Sequence, residues 1–170
     1  MIMSMFVMEY VIFLRVLVHS TSMSNEPLAG KRYVKITEQK TKQDWAAFLE
    51  EIANKYTDAE KITLVMDNLE THKPGSLYDT FPAEKAKSLW DRFEFIYTPK
   101  HGSWLNMAEI ELNVLMGQCL KGRIPDFDKV KIQVQAWESE RNNKNAKINW
   151  QFTTEDARIK LKRLYPSFEV

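Results

Sequence analysis

The chain has few residues that could form disulfides or thiolate metal sites. Cys119 is the only cysteine among 170 residues, and a single thiol excludes an intramolecular disulfide framework and a cysteine-based metal site. We therefore interpret Cys119 as a small buried hydrophobe, in a composition that suits a reducing cytosol. The sequence also lacks a zinc-ligand spacing, a phosphate-binding glycine loop and a nucleophile elbow.

No stretch is apolar and uncharged over the ~20 residues that a membrane-spanning helix needs. The nearest candidate, residues 1–20, is interrupted by Glu9 and Arg15, and it lacks the basic front and cleavage site of a signal peptide. We expect no membrane partner, with a weak anchor at residues 1–18 as the alternative. Within this segment VIFLRVLV is predicted to be a buried strand, and the polar HSTSMSNEPLAGKR that follows predicts a turn region.

The chain also lacks an excess of charge of one sign. Its net charge of +1 is too small for a surface built throughout to bind nucleic acid. The charge is uneven, because residues 1–120 contain 13 Lys and Arg against 16 Asp and Glu, whereas residues 121–170 contain 11 against 7. The C-terminal part is therefore modestly basic. It is either a surface that faces a polyanion or a set of ordinary solvated helix faces.

Predicted strands and helices alternate along a chain whose length fits one domain. Strands are predicted in KRYVKITE, KITLVMDN and FEFIYTP. Helices are predicted in TKQDWAAFLEEIANKY, AEKAKSLWDR, residues 104–120, residues 127–142 and TTEDARIKLKRLYP. The alternation indicates an α/β fold with a mostly parallel sheet.

Asp67 stands at the end of a predicted central strand, directly after ITLVM. Ligands and catalytic groups of open α/β sheets gather at the carboxyl ends of strands. An Asp at such a position needs a hydrogen-bond partner, a counter-charge or a cation. A turn that begins with Asp-Asn is the alternative.

Two carboxylates follow on the predicted helix after the next strand. Glu109 and Glu111 are about 200° apart around a helix and cannot share a face. Glu109 and Asn106 flank the apolar stripe of Leu105, Ala108, Leu112 and Leu115. We therefore expect Glu109 to lie toward the edge of the sheet and Glu111 to be solvated.

An inward carboxylate on a strand and another on a helix suggest an oxygen-ligand site for Mg²⁺ or Mn²⁺. Such ions activate a water or hydroxyl and stabilise displacement at phosphorus. His72 and His101 could assist near a phosphate, although their spacing alone does not make either a metal ligand.

Two motifs resemble a known family. VMDNLETH, followed by FIYTPKHGSWLNMAEIEL, resembles the DDE-superfamily endonuclease domain of bacterial insertion-sequence transposases related to the Tc/mariner group. EPLAGKRYVKITEQKTKQDW and NWQFTTEDARIKLKRLYP look like the same family, so the resemblance covers about residue 26 to the C-terminus. Its two motif carboxylates, Asp67 and Glu109, have 41 residues between them.

The resemblance implies an RNase H-like mixed sheet flanked by helices, with three carboxylates that bind two Mg²⁺ or Mn²⁺ ions. Asp67 matches the family's second carboxylate and Glu109 the third. Supporting positions around the site match Asn68, His72, His101, Trp104 and Asn106. The implied chemistry is cleavage at transposon ends and attack of the freed 3′-hydroxyl on target DNA. The implied partners are DNA and a second copy or a full-length transposase, in the cytoplasm of a bacterium.

The family's first carboxylate, an Asp on the first strand, has no counterpart in the sequence. No Asp precedes Asp44, and none of the earlier carboxylates, Glu9, Glu26 and Glu38, has the motif context, with Glu9 as the alternative. Residues 1–25 do not match the family, so we divide the chain into that segment and a partial catalytic domain, residues 26–170, incomplete at the N-terminus. We expect the chain to be inactive alone. The alternative is a module that binds DNA or inhibits an intact transposase.

Overall fold

The computed structural model describes residues 2–13, 18–39, 41–66, 73–98, 107–121, 124, 126–149, 151 and 153–160. For residues 2–13, 18, 19, 107–109, 154, 157 and 160 it describes the backbone only. The elements in these ranges are β1 (Ile2–Phe13), β2 (Val18–Glu26), β3 (Lys31–Thr37), α1 (Lys42–Lys55), β4 (Lys61–Met66), α2 (Pro74–Tyr78), α3 (Ala83–Arg92), β5 (Phe93–Tyr97), α4 (Met107–Gln118), α5 (Phe127–Asn143) and α6 (Thr154–Lys160).

The five strands form one mixed sheet in the order β3-β2-β1-β4-β5. β1 pairs antiparallel with β2, and β2 pairs antiparallel with β3. β4 lies parallel to both β1 and β5. The mixed sheet flanked by helices is therefore confirmed, whereas the prediction of a mostly parallel sheet is wrong for the β1–β3 half. That half is antiparallel because a short turn at residues 27–30 joins β2 to β3, and parallel neighbours need a longer crossover.

The N-terminal segment supplies the centre of this sheet. β1 lies between β2 and β4. The predicted strand VIFLRVLV is divided, because its first three residues end β1, its last begins β2, and residues 14–17 lie outside the described part of the chain. The described sheet therefore has a central strand from this segment, and the division of the chain between residues 25 and 26 stays a prediction.

The prediction of a turn over HSTSMSNEPLAGKR is wrong for most of its length. Residues 18–26 form β2, which pairs along both of its edges. Its buried polar side chains belong to Ser20, Thr21, Ser22, Ser24 and Asn25. The two neighbouring strands satisfy the backbone hydrogen bonds of β2, and its small side chains fit between the packed layers. Tertiary pairing thus overrides the turn preference of Ser and Asn.

The first helix forms where its sequence predicts it. Thr41 caps α1, since its Oγ1 accepts a hydrogen bond from Asp44 N at 3.0 Å while Asp44 Oδ2 accepts one from Thr41 N at 3.1 Å. This reciprocal capping box satisfies backbone donors that the first helical turn leaves free. Trp45, Phe48 and Ile52 recur at helical spacing and are fully buried against the sheet.

Hydrophobic side chains pack on both faces of the sheet. On the α1 face, buried side chains of α1, α3 and β4 form one cluster, which includes Phe48, Leu89 and Leu64. On the α4 face, α4 and α5 cover β2 and β3. The buried side chains there include Met23, Val34, Leu112, Leu115, Val134 and Trp137. No helix in the described ranges is both long and apolar enough to cross a membrane.

Side chains of α5 close the outer edge of β3, which is an edge strand of the sheet. Asn142 Oδ1 accepts a hydrogen bond from Arg32 N at 2.9 Å, and Asn142 Nδ2 donates to Arg32 O at 2.8 Å. One helical turn earlier, Glu138 Oε2 accepts from Val34 N at 2.9 Å. The Asn142 side chain thus bonds the backbone as a further strand would, and it protects the edge from pairing with another chain.

We predict that Asn142→Ala lowers the free energy of unfolding by about 1–3 kcal/mol, because it leaves part-buried backbone groups of Arg32 without a partner. Urea unfolding measures this loss. Asn143→Ala is the matched control, since it removes the same side chain from an exposed neighbouring position. Equal stability of the two variants would contradict this function of Asn142.

Candidate functional site

The candidate site begins at the carboxyl ends of two parallel strands. β4 ends at Met66 and β5 ends at Tyr97, its direct partner. Thr98 N donates a hydrogen bond of 2.8 Å to Met66 O, so the pairing continues to the last residue of β4. Asp67 is the next residue along the chain and itself lies outside the described part. The chain therefore reaches Asp67 directly from the end of a strand next to β1.

Glu109 is the third residue of α4, and the structure describes its backbone but not its side chain. α4 packs against β1 and β2 on the α4 face, where Leu112 and Leu115 are buried. The strand after which Asp67 follows and the helix that contains Glu109 are thus both next to β1.

The remaining predicted site residues lie outside the described part of the chain. These are Asn68, His72, His101, Trp104 and Asn106. Among the residues that are described, no group of three His, Cys, Asp or Glu side chains could hold a metal ion. The assignment of Asp67 and Glu109 as catalytic and metal-binding residues therefore stays a prediction.

The structure places Glu111 in the interior, which contradicts the prediction that it is solvated. The residue is 1% exposed. Its Oε1 accepts a hydrogen bond of 2.9 Å from Arg141 Nη2 of α5. Its Oε2 lies 3.1 Å from Arg32 Nε of β3, as an ion pair whose N–H direction is not aligned for a hydrogen bond. We call Glu111, Arg32 and Arg141 the Glu111 cluster.

Further contacts hold the two arginines of the Glu111 cluster. Arg32 Nη2 donates to Ala146 O at 2.5 Å. The guanidinium carbons of Arg32 and Arg141 lie 6.0 and 5.3 Å from the centroid of the Trp137 ring. Burial lowers the pKa of Arg32, and the negative charge of Glu111 opposes that shift. A buried charge of this kind is tolerated because it is paired and hydrogen-bonded.

A spacing in the sequence could have indicated that Glu111 is buried. Glu111 follows Ala108 by three residues and precedes Leu115 by four, so it falls within the apolar stripe of the helix. The prediction that Glu111 is exposed to solvent rested on its charge alone. The partner Arg32 is 79 residues away in the chain, and no local pattern indicates such a distant ion pair.

Since Glu109 is about 200° from Glu111 around the helix, it lies on a different side of α4.

The register of the sheet identifies which β1 residues belong to the α4 face. Val34 is buried on that face and pairs with Met23, which in turn pairs with Met8. Because partners across neighbouring strands share a face, Met8 occupies an α4-face position. Phe6, two residues earlier, pairs with Val65 of β4.

Glu9 occupies a position on the opposite face. It pairs with Ser22, and Ser22 pairs with Lys35. Lys35 Nζ forms a 2.6 Å ion pair with Glu51 of α1. The register therefore assigns Glu9 to the α1 face, whereas α4, the helix that contains Glu109, packs on the other side of the sheet.

We predict that Glu111→Ala lowers the free energy of unfolding by about 3–5 kcal/mol, because it leaves Arg32 and Arg141 without their counter-charge. Denaturant unfolding measures the change. Glu140→Ala is the control, because that carboxylate is exposed on α5 and should leave stability unchanged. A loss below about 1 kcal/mol for Glu111→Ala, as at an exposed ion pair, would contradict the buried arrangement.

Comparisons with known proteins agree on the fold. The Mos1 strand transfer complex contains a chain with a TM-score of 0.60 and 12% sequence identity, over 84% of this chain and 50% of that one. A simian T-cell lymphotropic virus intasome, in complex with the PP2A regulatory subunit B56 gamma, contains a chain with a TM-score of 0.54 and 6% identity, over 99% of this chain and 56% of that one. This chain thus spans about half the length of each of the two chains that it matches.

The predicted RNase H-like architecture is confirmed by the likeness to the Mos1 structure. The sequence has no match among curated proteins. A family described as the DDE superfamily endonuclease matches residues 20–131, which is more than half of the chain and includes both Asp67 and Glu109. From this match, and from the resemblance carried by its own motifs, the chain belongs to the DDE superfamily endonuclease family.

Proposed function

We propose that this chain is a portion of a transposase catalytic domain. In this proposal Asp67 and Glu109 are two of the carboxylates used in DNA strand cleavage and strand transfer. The observation that carries the proposal is that β4, the strand directly before Asp67 in the chain, pairs with β1, and that the helix containing Glu109 packs against β1. The family match over both residues supports it, as does the fold shared with the Mos1 strand transfer complex.

Asp67 and Glu109 fit a hard divalent cation by the chemistry of their donors, since Mg²⁺ and Mn²⁺ prefer carboxylate oxygens. When bound, such an ion activates a water or hydroxyl and stabilises negative charge at phosphorus. The protein's own part is to hold the two carboxylates on separate rigid elements, at a strand end and on a helix. Rigid support of this kind keeps oxygen ligands aligned with DNA phosphate.

We also propose that the constellation lacks its third carboxylate. If the parallel register of β1 and β4 continues by two residues beyond Phe6 and Val65, Met8 is level with Asp67 on the α4 face. The family's first Asp would belong at such a position, and this chain has a thioether side chain there. Glu9 is one residue away, but its register position is on the α1 face.

A basic surface would allow such a domain to hold DNA without cleaving it. Residues 121–170 contain 11 Lys and Arg against 7 Asp and Glu. Contacts between these cations and phosphates weaken with salt as counterions are displaced. This is the alternative function, a binding module that occupies DNA or pairs with an intact transposase.

We predict that the purified chain does not nick supercoiled plasmid in Mg²⁺ or Mn²⁺, because a catalytic unit that lacks one member loses most of its transition-state stabilisation. Gel electrophoresis of the plasmid measures nicking, and the same DNA in a filter-binding titration measures affinity at several salt concentrations. Salt-sensitive binding without nicking is the expected result. If the chain nicks the plasmid efficiently and Asp67→Ala abolishes that nicking, the proposal that one catalytic carboxylate is missing is wrong.

A gain of function tests the register directly. We predict that Met8→Asp tightens Mn²⁺ binding, measured by electron paramagnetic resonance, because it adds a carboxylate on the α4 face. Val7→Asp is the matched control, since the neighbouring position belongs to the other face. Circular dichroism checks that both variants are folded. If the two substitutions have the same effect on Mn²⁺ affinity, the proposed location of the missing carboxylate is wrong.

A further inference from the structure

We infer that Glu111 is a positioning residue for the candidate metal site, which it serves by fixing the part of α4 that contains Glu109. The inference rests on the proposed function, because it assumes that Glu109 is a metal ligand. It adds a role for a residue that would not itself touch the ion.

The first step is the spacing of the two glutamates along α4. Glu111 follows Glu109 by two residues, which is about 3 Å along the helix axis and about 200° around it. Contacts that fix the rotation of the helix and its position along its own axis at Glu111 therefore also fix them at Glu109. The first turns of α4 behave as one body, because their backbone hydrogen bonds join them.

The second step is that Glu111 contacts two other elements, through a directional hydrogen bond from Arg141 and an ion pair with Arg32. Arg32 lies on β3 and Arg141 on α5, at 3.1 and 2.9 Å from the two carboxylate oxygens. Contacts on opposite oxygens resist both sliding and rotation of the helix. The buried contacts of α4 at Leu112 and Leu115 are hydrophobic and have no directional preference. At the far end of the helix, Gln118 Oε1 accepts a hydrogen bond of 2.9 Å from Trp137 Nε1.

The third step is that the partners of Glu111 are themselves held. Arg32 bonds to Ala146 O and to Asn142 Oδ1, at 2.5 and 3.4 Å. Asn142 also bonds the Arg32 backbone at both N and O. Apolar side chains at all three positions of the Glu111 cluster could give similar or better stability than the ion pairs do. We attribute the ion pairs to alignment, because a metal site needs its ligands within about 0.5 Å of the productive geometry.

The test compares Mn²⁺ affinity and amide hydrogen exchange in four proteins. These are the unaltered chain, Glu111→Gln, Asp67→Asn and Leu89→Ala. Leu89 is buried among the α1-face side chains, so Leu89→Ala is the control for a loss of stability away from α4. Electron paramagnetic resonance reports Mn²⁺ binding. Hydrogen exchange without metal reports the order of residues 107–112.

We expect Glu111→Gln to weaken Mn²⁺ binding about tenfold or more, as the loss of groups that orient metal ligands does. Exchange should accelerate in the first turns of α4. Leu89→Ala should change neither quantity. If Glu111→Gln does not fold, Arg141→Met keeps the Arg32–Glu111 pair and has the same expectation.

Two results would overturn the inference, and they have different meanings. If Asp67→Asn loses Mn²⁺ while Glu111→Gln binds it as the unaltered chain does, the positioning role fails and the proposed function stands. If Asp67→Asn has no effect on Mn²⁺ affinity, the metal site and the positioning role fail together.

Discussion

The charge on Glu111 is the constraint around which the α4 face is built. A carboxylate with 1% exposure cannot be left without counter-charges, and its two partners come from β3 and α5. The edge of β3, the end of α5 and the beginning of α4 therefore have to meet at one point. The edge contacts of Asn142 and the ring of Trp137 complete this junction. The candidate catalytic glutamate is two residues from it along α4.

The position of the central strand β1 determines which side chains can lie beside the candidate metal site. β1 has strand partners on both sides, one antiparallel and one parallel, and α4 packs over it. Under the proposed function, β1 is the strand that would contribute the first carboxylate, in addition to Asp67 after β4 and Glu109 on α4. We propose that the present chain preserves the scaffold at this point and not the acid. A protein of this kind would keep its fold without the complete set of carboxylates.

Much of the fold could be predicted from local patterns, and the exceptions have physical reasons. α1, with its Thr41 cap, and β3, β4 and β5 form where periodicity and composition indicate them. β2 was missed because Ser20, Ser22 and Asn25 resemble a turn until two neighbouring strands pair with them. The burial of Glu111 was missed because its partners are distant in the sequence.

Less of the candidate site than of the fold could be predicted from local sequence patterns. Asp67 at the end of β4 could be predicted from the position of a polar residue after an apolar strand, and the backbone of β4 agrees with that position. The roles of Asp67 and Glu109 came from the family resemblance and stay predictions. Strand order could not be derived from periodicity, because alternation of strands and helices does not determine which strands become neighbours.

The most direct measurement is a crystal structure of the chain grown with Mn²⁺, using anomalous scattering to locate the ion. The account predicts a single ion with carboxylate oxygens of Asp67 and Glu109 at about 2.0–2.2 Å, and Met8 on the side where a third ligand would be. Two ions about 3.5–4 Å apart, bridged by a third carboxylate, would contradict the account, as would carboxylates of Asp67 and Glu109 that are too far apart to share one ion.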